Sequence, residues 1–341
     1  MRTYDNYSLL KHNTFGIDVT CQRYIEVSSA ATLQRYIRQH IAQQTPPFNQ
    51  PLIIGRGSNL LFTANYQGNI LHSAIRGHQV NQIGDYVMLR CGSGEVWDDV
   101  VQLCIDNGWH GIENLSLIPG EIGAAAVQNI GAYGAEIKDV LFEVEAVDLT
   151  TGEMMHIPAE QCDYGYRHSR FKTEWKQRFL ITHVTLRLST IFKPNLAYQA
   201  LGQMLQERNI VKPTPQQVRE CVIALRQSKL PDPATVGNAG SFFKNPVIDA
   251  DLYQQLKRRY PDMPAHTIDE KYYKLPAAWL IEQAGWRGVT MGDAAVWQQQ
   301  PLVLVNLGTT QADDILQLAQ AITDDVKQQF NILLQPEVNI I

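Results

Sequence analysis

Apolar residues along the chain switch between helical and strand spacing, and the switches mark three stretches. In the first, short apolar runs at residues 51–54 (Pro-Leu-Ile-Ile) and 60–62 (Leu-Leu-Phe) read as strands. Between them and the N-terminus, Leu33, Ile37 and Ile41 recur at a spacing that puts them on one helix face. This pattern predicts a small α+β unit. In the second stretch, strand-like runs at 86–89, 179–182 and 184–188 surround one helical pattern and a long glycine-rich passage, predicting a second α+β unit. Residues 193–215 are polar and flanked by prolines. A helix is then predicted to start with Thr214 as N-cap, Pro215 in the first turn and Gln217 closing a capping box, burying Val218, Cys221, Val222 and Leu225. Two further helical patterns follow, 277–284 stopped by Gly285, and 310–330 with Ile315, Leu318, Ile322 and Val326 in register. They predict a third, α/β unit. The boundaries drawn from these changes are 1–75, 76–225 and 226–337.

Composition agrees with several cores: 341 residues at 45% hydrophobic are enough for two or three. No run of eighteen apolar residues occurs, and the N-terminus lacks a basic start followed by an apolar stretch, so a cytoplasmic location without a membrane partner is expected. The five cysteines show no CxxC spacing and read as reduced, mostly buried thiols rather than a disulfide or zinc framework. A net charge of −5 provides no basic field for nucleic acid. A small anionic ligand needs only a few placed arginines and lysines. The signatures GxSxG, HExxH and GxxxxGK[ST] are absent and the nine histidines lack metal-ligand spacing, so hydrolase, zinc-protease and P-loop chemistry lose their warrant and no metal is expected.

Two glycine-rich segments carry the remaining signal. Gly55-Arg56-Gly57-Ser58-Asn59-Leu60-Leu61 follows a strand, but Leu60 stands where a dinucleotide fingerprint has its third glycine, and no helix follows. Taken alone it reads as a hairpin turn, with an anion-binding nest as the alternative. The second segment, residues 114–134, contains a single charge, Glu121, among small residues that let backbone approach something closely. A packed internal loop and a bound diphosphate both explain it, and the repeated glycines favour the ligand.

Five motifs in order then carry a resemblance: GRGSNLL at 55–61, IPGxxGAxxxQNIGAYG at 118–134, YRHSRFK at 166–172, GNAGSFFKNP at 237–246 and Pro336-Glu337. Together they resemble the UDP-N-acetylenolpyruvoylglucosamine reductase family over nearly the whole chain. The resemblance implies an α+β, vanillyl-alcohol-oxidase-like (PCMH-type) fold in which two subdomains hold FAD non-covalently and a third α/β domain binds substrate. It implies that Gly55, Gly57, Ser58 and Asn59 hold the flavin diphosphate from one side and Pro119, Gly120, Gly123 and Gly131 from the other. Ala124 and Ala125 stand where some relatives carry hydroxyls, so side-chain bonds to FAD from there are lost.

The implied reaction has NADPH reduce FAD and leave, after which the enolpyruvyl group of a UDP-sugar is reduced. Negative charge then develops beside the substrate carboxylate. By the resemblance Arg167 binds that carboxylate, Ser241 protonates the carbanion and Glu337 helps stabilise the enolate. From the residues alone, each has a plainer reading: a surface ion pair for Arg167, a turn serine for Ser241 and an edge-strand carboxylate facing water for Glu337. Tyr198, Lys229 and Asn245 are implied for the UDP moiety, Arg226 for flavin or UDP, and Gln300 for the polar lining. A monomer is expected. The alternatives are a flavin-dependent sugar or alcohol oxidase of the same fold, and a nucleotide-sugar binding protein without turnover.

Overall fold

Ser29 opens the first helix, Ala30–Ala42, by accepting a hydrogen bond from the Thr32 N–H at 3.4 Å. Leu33 and Ile37 are fully buried there, but Ile41 faces outward in the last turn, where the helix has passed the edge of its core. The computed structural model describes residues 1–48, 51–309 and 311–341. By density of internal contacts the chain falls into two units, one made of Met1–Tyr7, Cys21–Arg56 and Gln67–Arg226, the other of Ser8–Thr20, Gly57–Tyr66 and Gln227–Ile341.

The first unit holds two sheets. One has the order Arg2–Ser8, Thr20–Val27, Tyr66–Ser73, Leu52–Ile54. The other is antiparallel, in the order Met154–Pro158, Leu141–Asp148, Phe179–Ser189, Tyr86–Gly92, His78–Ile83. The runs at 179–182 and 184–188 form one strand. Ile25, Val27 and Leu71 from the first sheet meet Val147 and Leu180 from the second around Leu33 and Ile37 of the helix. A larger core packs Trp97, Val101 and Cys104 of the helix Trp97–Asp106, and Ile122 and Ala126 of the short helix Ile122–Gln128, onto the second sheet. Burial of these side chains supplies the main stabilisation.

The capping box forms as predicted: Thr214 N–H donates to Gln217 Oε1 at 2.9 Å and Gln217 N–H to Thr214 Oγ1 at 3.2 Å, starting the helix Pro215–Lys229. The polar stretch before it also contains a helix, Gln199–Glu207, held by buried Leu201 and Leu205 against Val218 and Val222. The helix Gln199–Glu207 fully buries only those two leucines, too few to stand out in the sequence.

In the second unit, an antiparallel sheet orders Gly237–Ser241, Val303–Asn306, Ala294–Val296 and Thr290–Met291. Ile315, Leu318, Ile322 and Val326 of the helix Asp313–Phe330 are buried, as their register requires; Thr310, where the sequence pattern begins, lies outside the described residues. The helix Ala277–Gln283 packs against it and ends before Gly285 at φ +85°. The short strand Leu60–Leu61 pairs in parallel with Asn339–Ile340. All five cysteines are free and buried, and no helix among the described residues is long and apolar enough to cross a membrane.

Candidate active site

The GRGSN segment is not a hairpin. Leu52–Ile54 pairs with Tyr66–Ser73, whereas Leu60–Leu61 pairs with the C-terminus, so the two flanking strands have different partners. Gly57 sits at φ +72°, and a Cβ there would stand 1.8 Å from the His12 carbonyl oxygen. A glycine is therefore required by chain packing alone. Thr14 N–H donates to Gly57 O at 3.3 Å, and Asn238 N–H donates to Thr14 O at 2.9 Å. Gly237 meets the same segment, since a Cβ on it would lie 2.3 Å from the Phe15 carbonyl oxygen. Asn13 braces this wedge: its side chain donates to Leu9 O and Ile17 O and accepts from Ile17 N–H, at 2.9–3.0 Å.

The strand leaving Gly237 carries Ser241, half-buried and opposite Val303. One residue on, Phe242 donates its N–H to Leu302 O and accepts from the Glu337 N–H, both at 2.7 Å. Asn59 Nδ2 donates to Glu337 O at 3.2 Å, and Asn59 O accepts from the Asn339 N–H at 3.1 Å. The second unit thus gathers Gly57, Ser58, Asn59, Ser241 and Glu337 from three distant parts of the sequence. Glu337 is half-buried, so it does not stand fully in water as the edge-strand reading has it. Gln300 lies in the turn before Val303, bonded to Trp297 O and Val303 N–H. Asn245 accepts the Ala277 N–H at 2.9 Å, which occupies one face of its side chain. Lys229 ends its helix beside Leu230, which packs under the sheet with Val303.

In the first unit, the segment 114–134 contains the helix Ile122–Gln128 and a tight hairpin, Gly131–Ala132 with Ala135–Glu136, where the sequence suggests only loop. Gly123 donates its N–H to Ser93 O at 2.9 Å, and a Cβ on it would meet Ser93 Cβ at 2.7 Å. Its amide is already used, and its small size serves close packing. Gly120 O accepts from the Trp97 N–H, leaving the neighbouring Pro119 exposed. A Cβ on Gly55 would lie 3.1 Å from Ala124 Cβ and 3.2 Å from Glu121 Oε2, so the two glycine segments touch in this unit.

Arg167, at φ +54°, donates from Nη2 to Gly131 O at 3.0 Å and stands over the Tyr166 ring. Its turn is fixed by Ser169 Oγ on Val127 O and by Lys172 Nζ on Gln128 Oε1, both at 2.7 Å. Tyr198 meets the edge of Tyr133 with centroids 5.1 Å apart. Asn195 holds that chain segment by donating to Gly134 O at 2.9 Å. Half-buried Arg226 donates from Nε to Leu117 O at 3.1 Å, its one hydrogen bond to protein among the described residues. Burial, together with the nearby Arg167 charge, lowers its pKa despite Tyr133 and Asp98. Two guanidiniums within electrostatic reach of each other, one with open donors, suit a ligand rich in anionic oxygens. A diphosphate or a carboxylate has that chemistry, and FAD fits this donor set and the adjoining glycine segments.

Two compared family models match the chain, "UDP-N-acetylenolpyruvoylglucosamine reductase, C-terminal domain" over residues 232–341 and "FAD binding domain" over 21–158. A UDP-N-acetylenolpyruvoylglucosamine reductase of Bacteroides fragilis is 45% identical over 336 residues, covering 98% of this chain and 99% of its own. The chain belongs to the UDP-N-acetylenolpyruvoylglucosamine reductase family. A family member from Porphyromonas gingivalis is 43% identical, with 98% of each chain covered. The crystal structure of the Thermus caldophilus reductase superposes with a TM-score of 0.67 at 21% identity, covering 99% of this chain and 98% of its own, and shows the shared fold. The α+β architecture with an FAD-binding domain is thereby established.

Several residues at the site of this family member have roles that the sequence does not show. Asn129 is fully buried at φ +45°, donating to Gly165 O at 2.7 Å and Glu136 Oε2 at 3.0 Å, and so ties the QNIGAYG segment to the Arg167 turn. Tyr133, an aromatic ring between glycines, was the one detectable hint. Asp98 and Leu117 had none.

Proposed function

We propose that this chain reduces the enolpyruvyl group of UDP-N-acetylglucosamine enolpyruvate to give UDP-N-acetylmuramate, a step in building the peptidoglycan precursor. It is a flavin oxidoreductase that uses FAD, held non-covalently, with NADPH as co-substrate. Near full-length identity of 45% to a named reductase carries this reading, and the presence of Arg167, Ser241 and Glu337 in the motifs supports it. Residues 1–75 with 338–341, and 76–225, are assigned to FAD, and 226–337 to the substrate. The enzyme acts as a cytoplasmic monomer.

Bound FAD supplies the hydride obtained from NADPH. Gly55, Gly57, Gly120 and Gly131, with Ser58, Asn59, Pro119 and Arg226, would hold it, and Gly123, whose amide is bonded to Ser93, would contribute through the close approach its small size allows. Arg167 pairs with the substrate carboxylate through the fixed planar fork that suits such groups. Charge that develops toward this carboxylate in the transition state strengthens that pairing and lowers the barrier. Ser241 delivers the proton to the carbanion; a hydroxyl is a weak acid, but a carbanion is a strong base and the transfer runs downhill. Glu337 offers a carboxyl group to the enolate, and its backbone is held by the Phe242 carbonyl and the Asn59 side-chain amide. Tyr198, Lys229, Asn245 and Gln300 bind the UDP-sugar.

One anaerobic titration tests the reading. The purified protein is yellow, NADPH bleaches its flavin band, and UDP-N-acetylglucosamine enolpyruvate restores it. A protein that stays colourless after FAD addition, or a bleached flavin that the enolpyruvyl sugar leaves reduced, overturns the assignment. An oxidase would fail to bleach with NADPH.

A further inference from the structure

Leu117 stands at φ +58°, a left-handed conformation that disfavours a branched side chain, immediately before Ile118, Pro119 and Gly120. Both of its backbone polar groups are held. The N–H donates to Asp98 Oδ1 at 2.5 Å, and the carbonyl accepts from Arg226 Nε at 3.1 Å. Asp98 is itself fixed, because Arg219 Nη1 and Nη2 donate to its two oxygens at 2.6 and 2.8 Å, and Gln102 Oε1 accepts from Arg219 Nε at 2.7 Å. A helix from the middle of the first unit therefore reaches, through one carboxylate, a strained residue whose carbonyl sets the direction of an arginine with open donors. Strain of this kind persists only where the surroundings impose it.

We propose that Asp98 is a positioning residue for FAD binding: it holds Leu117 left-handed, so that the Leu117 carbonyl aims the Arg226 guanidinium at the cofactor and the 118–120 backbone takes the course that meets it. The inference rests on Arg226 contacting FAD, as assigned above. Asp98 touches no ligand; it acts through Leu117. The Asp98–Arg219 ion pair anchors the arrangement, and the two contributions are separable because the Leu117 N–H donates to Asp98 and not to any group of Arg219.

The test measures FAD affinity of the deflavinated full-length chain by flavin fluorescence, alongside thermal stability. Asp98→Ala weakens FAD about tenfold, equivalent to about 1.4 kcal/mol. Arg219→Met loses comparable thermal stability yet keeps FAD affinity within about twofold, since the Asp98 bond to Leu117 survives. In the Asp98→Ala background, Leu117→Gly restores most of the affinity without restoring thermal stability, because glycine adopts the left-handed conformation unaided. Leu117→Ile, with Asp98 intact, weakens FAD by penalising that conformation, and serves if Asp98→Ala does not fold. Equal affinity losses in Asp98→Ala and Arg219→Met, no rescue by glycine, or wild-type affinity in Leu117→Ile overturn the proposal. Arg226→Met separates the premise: if it leaves FAD affinity unchanged, the assignment of Arg226 to FAD fails, whereas a loss there without a loss in Asp98→Ala sinks the positioning role alone.

Discussion

The backbone N–H of Glu337 donates to the carbonyl of Phe242 at 2.7 Å, placing the chain that carries Glu337 one residue from Ser241 although 96 positions separate the two in sequence (337 − 241). Phe243 and Pro336 extend the contact as an antiparallel bridge, and Lys244 N–H donates to Gln335 O at 2.9 Å. Backbone pairing of this kind fixes both side chains at once, without relying on either to find the other.

The role proposed for Ser241 predicts a split between half-reactions. Ser241→Ala should leave flavin bleaching by NADPH within about threefold of wild type, while reoxidation by the enolpyruvyl sugar slows by about 10²–10⁴. Stopped-flow absorbance resolves the two. Equal slowing of both would remove Ser241 as the proton donor.

Gly57 and Gly16 have nearly the same φ, +72° and +71°, but only Gly57 is blocked, by the His12 oxygen at 1.8 Å; Gly16 faces open space. Gly16→Ala should therefore cost about 1 kcal/mol, the left-handed penalty alone. Gly57→Ala should cost about 3 kcal/mol or more and weaken FAD as well, because the wedge at 13–15 has to move. Urea unfolding of the two variants checks the ranking, and similar midpoints would contradict it.

Acid should destabilise the fold in two stages. Burial disfavours the charged His183, and the neighbouring Arg90 adds to this, lowering its pKa from 6.5. Burial also opposes ionisation of Asp98, Glu145 and Asp148, but arginine partners and, for Asp98 and Asp148, backbone N–H donors outweigh it and lower all three. For each of these groups the unfolded chain holds protons more tightly than the folded one, so its stabilising contribution is present above the unfolded pKa and lost as pH falls. The thermal midpoint should begin to drop below pH about 6.5 and fall more steeply below about 4.5. Asp148, which accepts from Thr150 N–H at 2.8 Å and Arg178 Nε at 2.9 Å, contributes to the second stage, and Asp148→Asn should flatten it. A midpoint that rises between pH 5 and pH 3.5 would refute this account.

Local chemistry was legible in the sequence wherever neighbours in the chain decide it. The capping box at Thr214, the glycine stop at 285 and the buried faces of Pro215–Lys229 and Asp313–Phe330 follow from spacing and side-chain type. The five ordered motifs were also legible, since each is a short run of neighbouring residues. The helix Gln199–Glu207 was hidden, since its two buried leucines gain their value only from the helix they pack on.

What only the tertiary structure decided is which distant backbones share a hydrogen bond. No periodicity could show that Gly57 is closed by the His12 carbonyl, that Glu337 pairs beside Ser241, or that Asp98 holds Leu117. These relations depend on loop closure over tens to hundreds of residues, and any one residue pair contributes too little to leave a mark on the local pattern. The sequence by itself therefore determined the local caps, turns and buried faces, and the fold determined which distant residues meet.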